Sequence, residues 1–206
     1  VITVEDTTGP TLVGVPGPIT VACDAVPSAA VVTATDNCDT NPITVTSNDV
    51  IVPGACTGEY VINREFTASD DCGNVTTNTQ VITVEDTTGP VLAGVPADVT
   101  VECDAVPAPT VVTATDNCDA NPITVMSNDV IVPGACTGEY VINREFTASD
   151  DCGNVTTDTQ VITVEDTTGP TLVGVPGPIT VACDAVPSAA VVTATDNCDT
   201  NPITVT

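Results

Sequence analysis

Two kinds of residue in this sequence can do chemistry, the cysteines and the acids. Ten Cys recur at fixed spacing, and 28 Asp and Glu stand against two Arg, with no Lys and no His. An even number of Cys at fixed spacing in a short repeat predicts disulfides and an oxidising compartment. Clustered carboxylates favour hard cations such as Ca²⁺. A zinc site is disfavoured because the sequence has neither His nor C-x-x-C spacing.

Catalysis has little support in the composition. The usual general bases and amine nucleophiles are missing with His and Lys. Adjacent acids such as Asp70 and Asp71 could form a glycosidase pair, but they recur in each copy of a repeat, where redundant active sites explain little. The formal net charge of −26 repels nucleic acid and anionic lipid. The apolar runs are too short to span a membrane. We therefore expect a non-enzyme with no nucleic-acid partner and no membrane span in this segment.

The sequence is an internal repeat with a period of 80 residues. The motif VITVEDTTGP stands at 1–10, 81–90 and 161–170. Residues 1–80 and 81–160 agree at 68 positions, and 161–206 repeat 1–46 without change. We expect three domains: repeat 1 (1–85), repeat 2 (86–165) and a partial repeat 3 (166–206). Because the pattern opens and closes within a repeat, we interpret the sequence as part of a longer array.

Each repeat predicts short β-strands separated by turns, with no helical period. β-branched residues fill the strands, and Pro, Gly, Asp and Asn occupy the turns. Six or seven strands with turns every 8–12 residues predict an all-β fold of tandem immunoglobulin-like Greek-key β-sandwich repeats that form an extended rod. Arg64 shares a face of the longest strand with Tyr60 and Phe66, and we interpret it as a structural arginine. The strands predicted in repeat 1 are 19–22, 30–35, 43–47, 50–52, 59–69 and 75–85.

The strand pattern also restricts the disulfides, because successive cysteines fall at alternate ends of the sandwich. Bridged Cα atoms lie within roughly 7 Å, while a strand advances about 3.3 Å per residue. We predict Cys23–Cys56 and Cys38–Cys72, with Cys23–Cys38 and Cys56–Cys72 as the alternative. No free thiol is then expected in either complete repeat. The equivalent cysteines of repeat 2 are Cys103, Cys136, Cys118 and Cys152.

Acidic residues should converge where one repeat joins the next. In this topology the incoming linker arrives at the same end of the sandwich as two of the loops. Together they carry enough carboxylates for Ca²⁺, which takes six to eight oxygen ligands. The alternative is that Asp and Asn are present because they form turns. The candidate metal ligands are Glu5, Asp6, Asp36, Asp39, Asp70 and Asp71 where repeat 1 begins, and Glu85, Asp86, Asp116, Asp119, Asp150 and Asp151 at the first joint, between repeats 1 and 2.

Short glycosylation patterns also recur in the repeats. Asn74 and Asn154 fit the N-x-[ST] acceptor. Thr7, Thr87 and Thr167 stand in an Asp-Thr-Thr sequence similar to an O-glycan acceptor of some bacterial surface proteins. We keep these five positions as candidate modification sites.

Three motifs carry a resemblance to a known family. ATDNCD, ASDDCGN and VEDTTGP resemble the hyalin-repeat (HYR-like) immunoglobulin-like domains that stand in tandem in large bacterial surface proteins, including gliding-associated adhesins. The resemblance implies an extracellular or cell-surface array with an adhesive or scaffolding role. The leading hypothesis is a disulfide-stapled, calcium-rigidified rod or filament, whose partners are neighbouring repeats and other copies. The alternative is a binding module that recognises a glycan or surface protein through exposed loops.

Overall fold

The computed structural model describes residues 1–199 and 201–206, and this part of the chain is built from strands without helices. Among the described residues no helix has the length and apolar character needed to cross a bilayer. Repeat 1 contains β1 (Thr11–Val13), β2 (Ile19–Ala22), β3 (Thr33–Thr35), β4 (Val45–Pro53), β5 (Tyr60–Ser69) and β6 (Val75–Glu85). Repeat 2 contains β7 (Val91–Ala93), β8 (Val99–Glu102), β9 (Thr113–Thr115), β10 (Val125–Pro133), β11 (Tyr140–Ser149) and β12 (Val155–Glu165). Repeat 3 contains β13 (Thr171–Val173) and β14 (Thr193–Thr195).

The strands of repeat 1 form two sheets. One has four strands in the order β2-β6-β5-β4, in which β4, β5 and β6 are antiparallel neighbours and β2 runs parallel to β6. The other pairs β1 with β3 in antiparallel register. Repeat 2 has the corresponding orders β8-β12-β11-β10 and β7-β9, and repeat 3 has β13-β14. The prediction of an all-β chain of tandem repeats is confirmed, and each complete repeat has two sheets.

The strands of repeat 1 differ from the sequence prediction in three main respects, besides shifts of one or two residues at the starts of β4 and β5. The strands expected at 43–47 and 50–52 are one continuous strand, β4. Asn48 and Asp49 had indicated a turn between them, but Asp49 lies opposite Arg64 in the β4–β5 ladder and forms an ion pair with it. The strand expected at 30–35 is confined to β3, and β1 was not predicted.

The core of repeat 1 lies on one face of β5 and β6. Along β5, Ile62, Phe66 and Ala68 are buried while intervening residues such as Glu65 are exposed, which is the alternation expected of a strand with one face on a core. Ile82 and Val84 of β6 are buried beside Ile62. The face of the longest strand that Tyr60, Arg64 and Phe66 were predicted to share is therefore the one that packs on the core. Phe66 is the only phenylalanine of the repeat, so the core is small.

Arg64 is buried on this inward face, at 5% exposure, and it donates hydrogen bonds to residues 15 and 37 positions away in the sequence. Its Nε and Nη2 donate to the two carboxylate oxygens of Asp49 at 2.8 and 2.9 Å, and its Nη1 donates to the carbonyl oxygen of Pro27 at 2.9 Å. The guanidinium thus ties β4, β5 and the segment after β2 together. Arg144 makes the same contacts in repeat 2. This agrees with the interpretation of a structural arginine.

Asp49→Asn should lower the free energy of unfolding by about 2–3 kcal/mol. Removing one partner of a fully buried ion pair costs about 3–5 kcal/mol, and we expect less because the Asp49 side chain is 38% exposed. Glu65→Gln, on the outward face of β5, is the matched control and should change stability by less than about 0.5 kcal/mol. Denaturant unfolding of both variants measures the difference, and equal losses would contradict the role given to the pair.

The same pair should make stability depend on acidity. Hydrogen bonds from Arg64, opposed by partial burial, hold the pKa of Asp49 below its ordinary value of 3.8. A carboxylate with a lowered folded-state pKa contributes its stabilisation fully above the unfolded value and loses it as the pH falls further. Between about pH 4 and pH 2 the wild-type chain should therefore lose stability more steeply than Asp49→Asn. Thermal melts of both proteins at several pH values measure how stability changes across this range. Equal slopes of stability against pH for the wild type and Asp49→Asn would contradict the expectation.

Contacts divide the chain into two compact units that do not follow the 80-residue repeats. The first unit is Val1–Val91 with Ala114–Thr124 and Ala148–Thr156, and the second is Leu92–Thr113 with Val125–Thr147 and Thr157–Thr206. The first unit therefore contains two loops of repeat 2 that pack on repeat 1. The joint between these repeats lies inside one compact unit.

Candidate functional site

Disulfides cross the joint between repeats instead of closing within a repeat. Cys23 bridges Cys118 with a Cα–Cα distance of 5.7 Å, and Cys56 bridges Cys152 at 5.2 Å. In the second compact unit Cys103 bridges Cys198 at 5.7 Å. The predicted pairs Cys23–Cys56 and Cys38–Cys72 are wrong, and so is the alternative of Cys23–Cys38 with Cys56–Cys72.

The error has a simple physical reason. The ends of the sandwich were assigned correctly: Cys23 and Cys56 lie at one end, and the cysteines equivalent to Cys38 and Cys72 lie at the other. The end carrying Cys23 and Cys56 contacts the two loops of the following repeat that carry Cys118 and Cys152, so the bonds form between repeats. Each bridge consequently spans 95 or 96 residues, one period plus the spacing within a repeat.

Four cysteines of the described chain have no bridge: Cys38, Cys72, Cys136 and Cys183. All four are exposed. The expectation that the complete repeats hold no free thiol is therefore not met. Partial desolvation of the sulfur by neighbouring groups, together with the charges of Asp6 and Asp36, raises the pKa of Cys38 above its ordinary value, and desolvation with the charge of Asp6 likewise raises the pKa of Cys72.

Polar contacts surround the Cys56–Cys152 bridge of the first joint. The hydroxyl of Thr57 donates to Oδ2 of Asp151 at 3.0 Å. Nδ2 of Asn121 donates to the same carboxylate oxygen at 3.2 Å and to the Thr57 hydroxyl at 3.3 Å. The loop after β4 thus binds both loops of the next repeat. Asp151 is committed to these hydrogen bonds.

Two carboxylates, the buried Asp86 and the partly buried Asp116, lie beside the Cys23–Cys118 bridge. One oxygen of Asp86 and one of Asp116 lie within 4.8 Å of each other and of the Cys118 sulfur. Asp86 is 5% exposed, and its Oδ1 accepts from the Thr88 amide at 3.1 Å. Among the described residues, Oδ2 of Asp86 and Oδ2 of Asp116 are buried without a hydrogen-bond partner. Burial raises the pKa of Asp86, and the charges of Asp116, Asp150 and Asp119 raise it further, against the Thr88 hydrogen bond.

Asp150 and Asp119 are near this pair but are engaged in turns. Oδ1 of Asp150 accepts from the backbone amides of Cys152 and Asn154, and Oδ2 accepts from the Asn154 side chain. Burial acts to raise the pKa of Asp150, yet these hydrogen bonds outweigh it and leave the pKa lowered. Asp119 accepts from the amides of Asn121 and Asp151, which joins the two loops. Both residues therefore shape the loops.

The predicted metal ligands fall into two groups. Asp86 and Asp116 come together, as do Asp6 and Asp36 beside Cys38 in repeat 1. Asp39, Asp70 and Asp71 hold the loops of repeat 1, as their equivalents do in repeat 2. Glu5 and Glu85 are exposed, and in the described residues neither belongs to a carboxylate group close enough to share an ion.

The sequence prediction missed Glu102. It occupies the position of Ala22 in repeat 1, so the 80-residue alignment had marked it only as a difference. In the second compact unit an oxygen of Glu102 lies within 4.8 Å of one from Asp166 and of the Cys198 sulfur. Glu102 also accepts hydrogen bonds from the amide and hydroxyl of Thr167. The two joints therefore differ by one carboxylate.

Equivalent residues of repeats 1 and 2 differ in burial, and the differences show which side chains the joint covers. Asp86 is buried where its equivalent Asp6 is partly exposed, and Asp119 is buried where Asp39 is partly exposed. Cys118 and Cys152 are partly buried, whereas Cys38 and Cys72 are exposed. Contact with the preceding repeat explains all four changes.

The candidate glycosylation sites differ in access. Nδ2 of Asn74 donates to Asp70 and to the Asp6 carbonyl oxygen, and Nδ2 of Asn154 makes the same bonds to Asp150 and Asp86. An N-glycan would have to displace these bonds. Thr7, Thr87 and Thr167 are exposed, and they stay predictions.

Gly58→Ala should open the first joint. Gly58 has φ +92°, and a Cβ there would lie 2.8 Å from Cβ of Cys118 and 3.3 Å from Cβ of Asp86. Gly73, with φ +88°, is the matched control, since a Cβ would meet nothing within 4 Å in the described chain. Both variants carry a left-handed alanine at about 1–2 kcal/mol, and the clash should cost Gly58→Ala a further 2 kcal/mol or so. Denaturant unfolding measures the loss of stability in both variants. Equal losses would contradict the close packing of Gly58 against Cys118 and Asp86.

Comparison with known proteins assigns no family. The chain matches no protein-family model, and no curated protein is similar to it in sequence. Among solved structures it is similar to the protocadherin gammaB4 extracellular domain at TM-score 0.37 and 13% identity, covering 94% of this chain and 39% of that one. Human protocadherin-24 EC1-2 gives 0.32 and 14%, over 79% and 100% of the two chains. The human desmocollin-1 ectodomain gives 0.28 and 13%, over 91% and 46%. These likenesses are too loose to carry a functional argument.

Proposed function

We propose that this chain is part of an extracellular structural or adhesive array of hyalin-repeat type, in which disulfides lock consecutive repeats to one another and calcium closes the joints. The observation that carries the proposal is the pair of bridges, Cys23–Cys118 and Cys56–Cys152, between repeat 1 and the loops of repeat 2. Bridges placed across a joint transmit tension from one repeat to the next through covalent bonds. Such a design suits a scaffold that must resist pulling.

The bridges also support a location outside the reducing cytoplasm. Disulfides persist in oxidising surroundings, such as the outside of the cell, and are rare where thiols are kept reduced. The high negative charge and lack of Lys favour solubility and weak non-specific binding to nucleic acid. Both features fit an exposed cell-surface or released array.

Counting free thiols tests the disulfide part of the proposal. Alkylation of the unreduced monomer followed by intact-mass measurement should find four modified cysteines, Cys38, Cys72, Cys136 and Cys183. Pairing within each complete repeat would leave only Cys183 and Cys198 to react. Two or no modified cysteines would therefore reject the cross-linked joint.

Calcium is proposed at the first joint because the carboxylates there fit a cation. Asp86 and Asp116 would hold it through the buried oxygens that lack a hydrogen-bond partner. Ca²⁺ prefers such hard oxygen donors, and its charge would offset the repulsion between the two carboxylates. The ion would add a link between the linker and the loop that carries Cys118.

Calcium should raise the melting temperature of the wild-type chain, and chelation should lower it. A ligand present at 100 times its dissociation constant stabilises by about 2.7 kcal/mol, and extracellular calcium modules often bind at about 10⁻⁴–10⁻³ M. The Asp86→Asn, Asp116→Asn variant should lose the response, while Glu85→Gln, which alters an exposed acid of the same linker, should keep it. Melts in millimolar calcium and in chelator provide the measurement. A wild-type melt that ignores calcium would remove the metal from the proposal.

A further inference from the structure

Every bridge of the described chain has a carboxylate close to one of its sulfurs. In each of the three bridges, at least one carboxylate oxygen lies within 4.8 Å of a bridge sulfur. The groups are Glu59 with Cys56 and Cys152, Asp86 and Asp116 with Cys118, and Glu102 and Asp166 with Cys198. The sequence has no Lys or His, and both Arg are paired with other acids, Asp49 and Asp129. No side-chain cation therefore balances the charge beside the bridges.

Glu59 is placed beside its bridge by a tight turn that follows β4. Its amide donates a hydrogen bond to the carbonyl oxygen of Cys56 at 3.2 Å, and its carbonyl oxygen accepts one from the amide of Gly54 at 2.8 Å. Glu59, Cys56 and Cys152 are all partly buried. The turn thus holds a negative charge against two sulfurs that are only partly open to water.

We propose that these carboxylates protect the bridges between repeats against reduction by anionic thiols, and that Glu59 is the protecting residue of Cys56–Cys152. The protection rests on the cross-linked joint of the proposed function, and needs neither its calcium nor its adhesive role. Small thiols that themselves carry net negative charge, such as glutathione, are the reductants that a carboxylate repels most strongly.

Reduction of a bridge takes two exchange steps. The thiolate of the reductant attacks one bridge sulfur, the bond between the protein sulfurs breaks as a mixed disulfide forms, and the other protein sulfur leaves as a thiolate. A second reductant thiolate attacks the reductant sulfur of the mixed disulfide and releases the second protein thiolate. Both protein thiolates then take up protons, so two reductant thiols become one small disulfide and the bridge becomes two protein thiols.

A carboxylate beside the bridge opposes the approach of the thiolate and the departure of the leaving sulfur. Negative charge arrives with the thiolate, is shared among the sulfurs in the transition state and ends on the leaving sulfur. Two unit charges 4 Å apart repel enough to change a rate about fivefold even in bulk water. The thiol form of the cysteine equivalent to Cys56 shows the same influence. The hydrogen bond with Glu139, then partial desolvation and the Glu139 charge, raise the pKa of the Cys136 thiol.

Glu59→Gln should speed the reduction of Cys56–Cys152 by glutathione about fivefold or more. The full chain is first alkylated to block its free thiols and is kept in chelator, so that neither protein thiols nor bound metal contribute. Samples quenched with a second alkylating reagent are digested, and each bridge is followed by peptide mass. Glu65→Gln, which removes a charge from the outward face of β5, is the matched control and should keep the wild-type rate. The Cys103–Cys198 bridge of the same molecules is the internal reference.

The charge of the thiol separates repulsion by Glu59 from simple loosening of the turn. At equal thiolate concentration, the gain from Glu59→Gln should be largest for glutathione, smaller for mercaptoethanol, and smallest for cysteamine, whose ammonium group the carboxylate attracts. High salt should diminish the gain with glutathione, because the Debye length falls to about 3 Å at 1 M. Equal gains with all three thiols, or no gain with glutathione, would overturn the proposal.

A reciprocal pair of variants tests the same protection at the other bridges. Glu102, beside Cys198, occupies the position that Ala22 has in repeat 1. Glu102→Ala should speed the reduction of Cys103–Cys198 by glutathione, and Ala22→Glu should slow that of Cys23–Cys118. Unchanged rates in both variants would overturn the protection of these bridges. If the unreduced digest contains no Cys56–Cys152 peptide, the cross-linked joint itself is rejected, whereas a bridge that is present but insensitive to Glu59 rejects the protection alone.

Discussion

Pulled from its two ends, the oxidised chain should extend to about 170 Å and no further, whereas the reduced chain should reach about 700 Å. The limit follows from the overlap of the bridges. The pulling force passes along residues 1–23 and crosses the Cys23–Cys118 bridge. It then runs back along the chain from 118 to 103, crosses the Cys103–Cys198 bridge and continues along residues 198–206. The rest of the chain is bypassed even when every sheet has unfolded.

Optical-tweezer extension with handles on both termini measures this limit directly. Addition of a reductant to the stretched molecule is the internal control, since the same molecule should then lengthen about fourfold. Bridges within each repeat would leave a longer path through 1–23, 56–103 and 136–206, with an extension of about 480 Å. A plateau near that value would reject the bridges across the joint.

The Cys23→Ser, Cys118→Ser variant should lower the free energy of unfolding of the first compact unit by about 4 kcal/mol. The bridge closes a loop with a sequence separation of 95 residues, and the chain-entropy estimate for loops of this size is about 4–5 kcal/mol. The loss arises mainly because the unfolded chain gains conformational freedom. Loss of contact between the loops of repeat 2 and repeat 1 should follow.

Denaturant unfolding of the oxidised proteins measures the loss, and hydrogen exchange locates it. Cys136→Ser is the control because this cysteine is exposed and unbridged, so its replacement should change stability by less than about 0.5 kcal/mol. Amides of β2 should exchange faster in the double variant than in the control. A loss below about 1 kcal/mol would mean that the bridge does not restrict the unfolded chain as proposed.

Most of the fold could be predicted from local sequence. Ile19–Ala22 and Val75–Glu85 agree with prediction residue for residue, since β-branched runs bounded by Pro, Asp and Gly determine them locally. The β4 strand was divided in the prediction because Asn48 and Asp49 are turn formers. Their extended conformation depends on Arg64, fifteen residues away, which a local pattern does not include.

The site was harder to predict because its partners come from different repeats. Alternation along the strands placed Cys23 and Cys56 at the same end, but that information is equally consistent with a bond within the repeat. Which bond forms depends on how close the cysteines of consecutive repeats lie to one another. The 80-residue period gives no information on that distance, because the cysteines occupy the same positions in every repeat. Glu102 was overlooked for a related reason: its role depends on the neighbour that the following linker brings to it.

The sequence separation of the bridged cysteines also determines when each bond can form during biosynthesis. At roughly 5–20 residues per second, Cys118 is synthesised about 5–20 s after its partner Cys23, from which it is 95 residues distant. During that interval Cys38, Cys56, Cys72 and Cys103 are all synthesised, and each is closer to Cys23 along the chain and able to react with it. Premature pairs must therefore be prevented or reshuffled before the next repeat arrives. Maturation of the array should depend on a disulfide isomerase more strongly than it would if each repeat were self-contained.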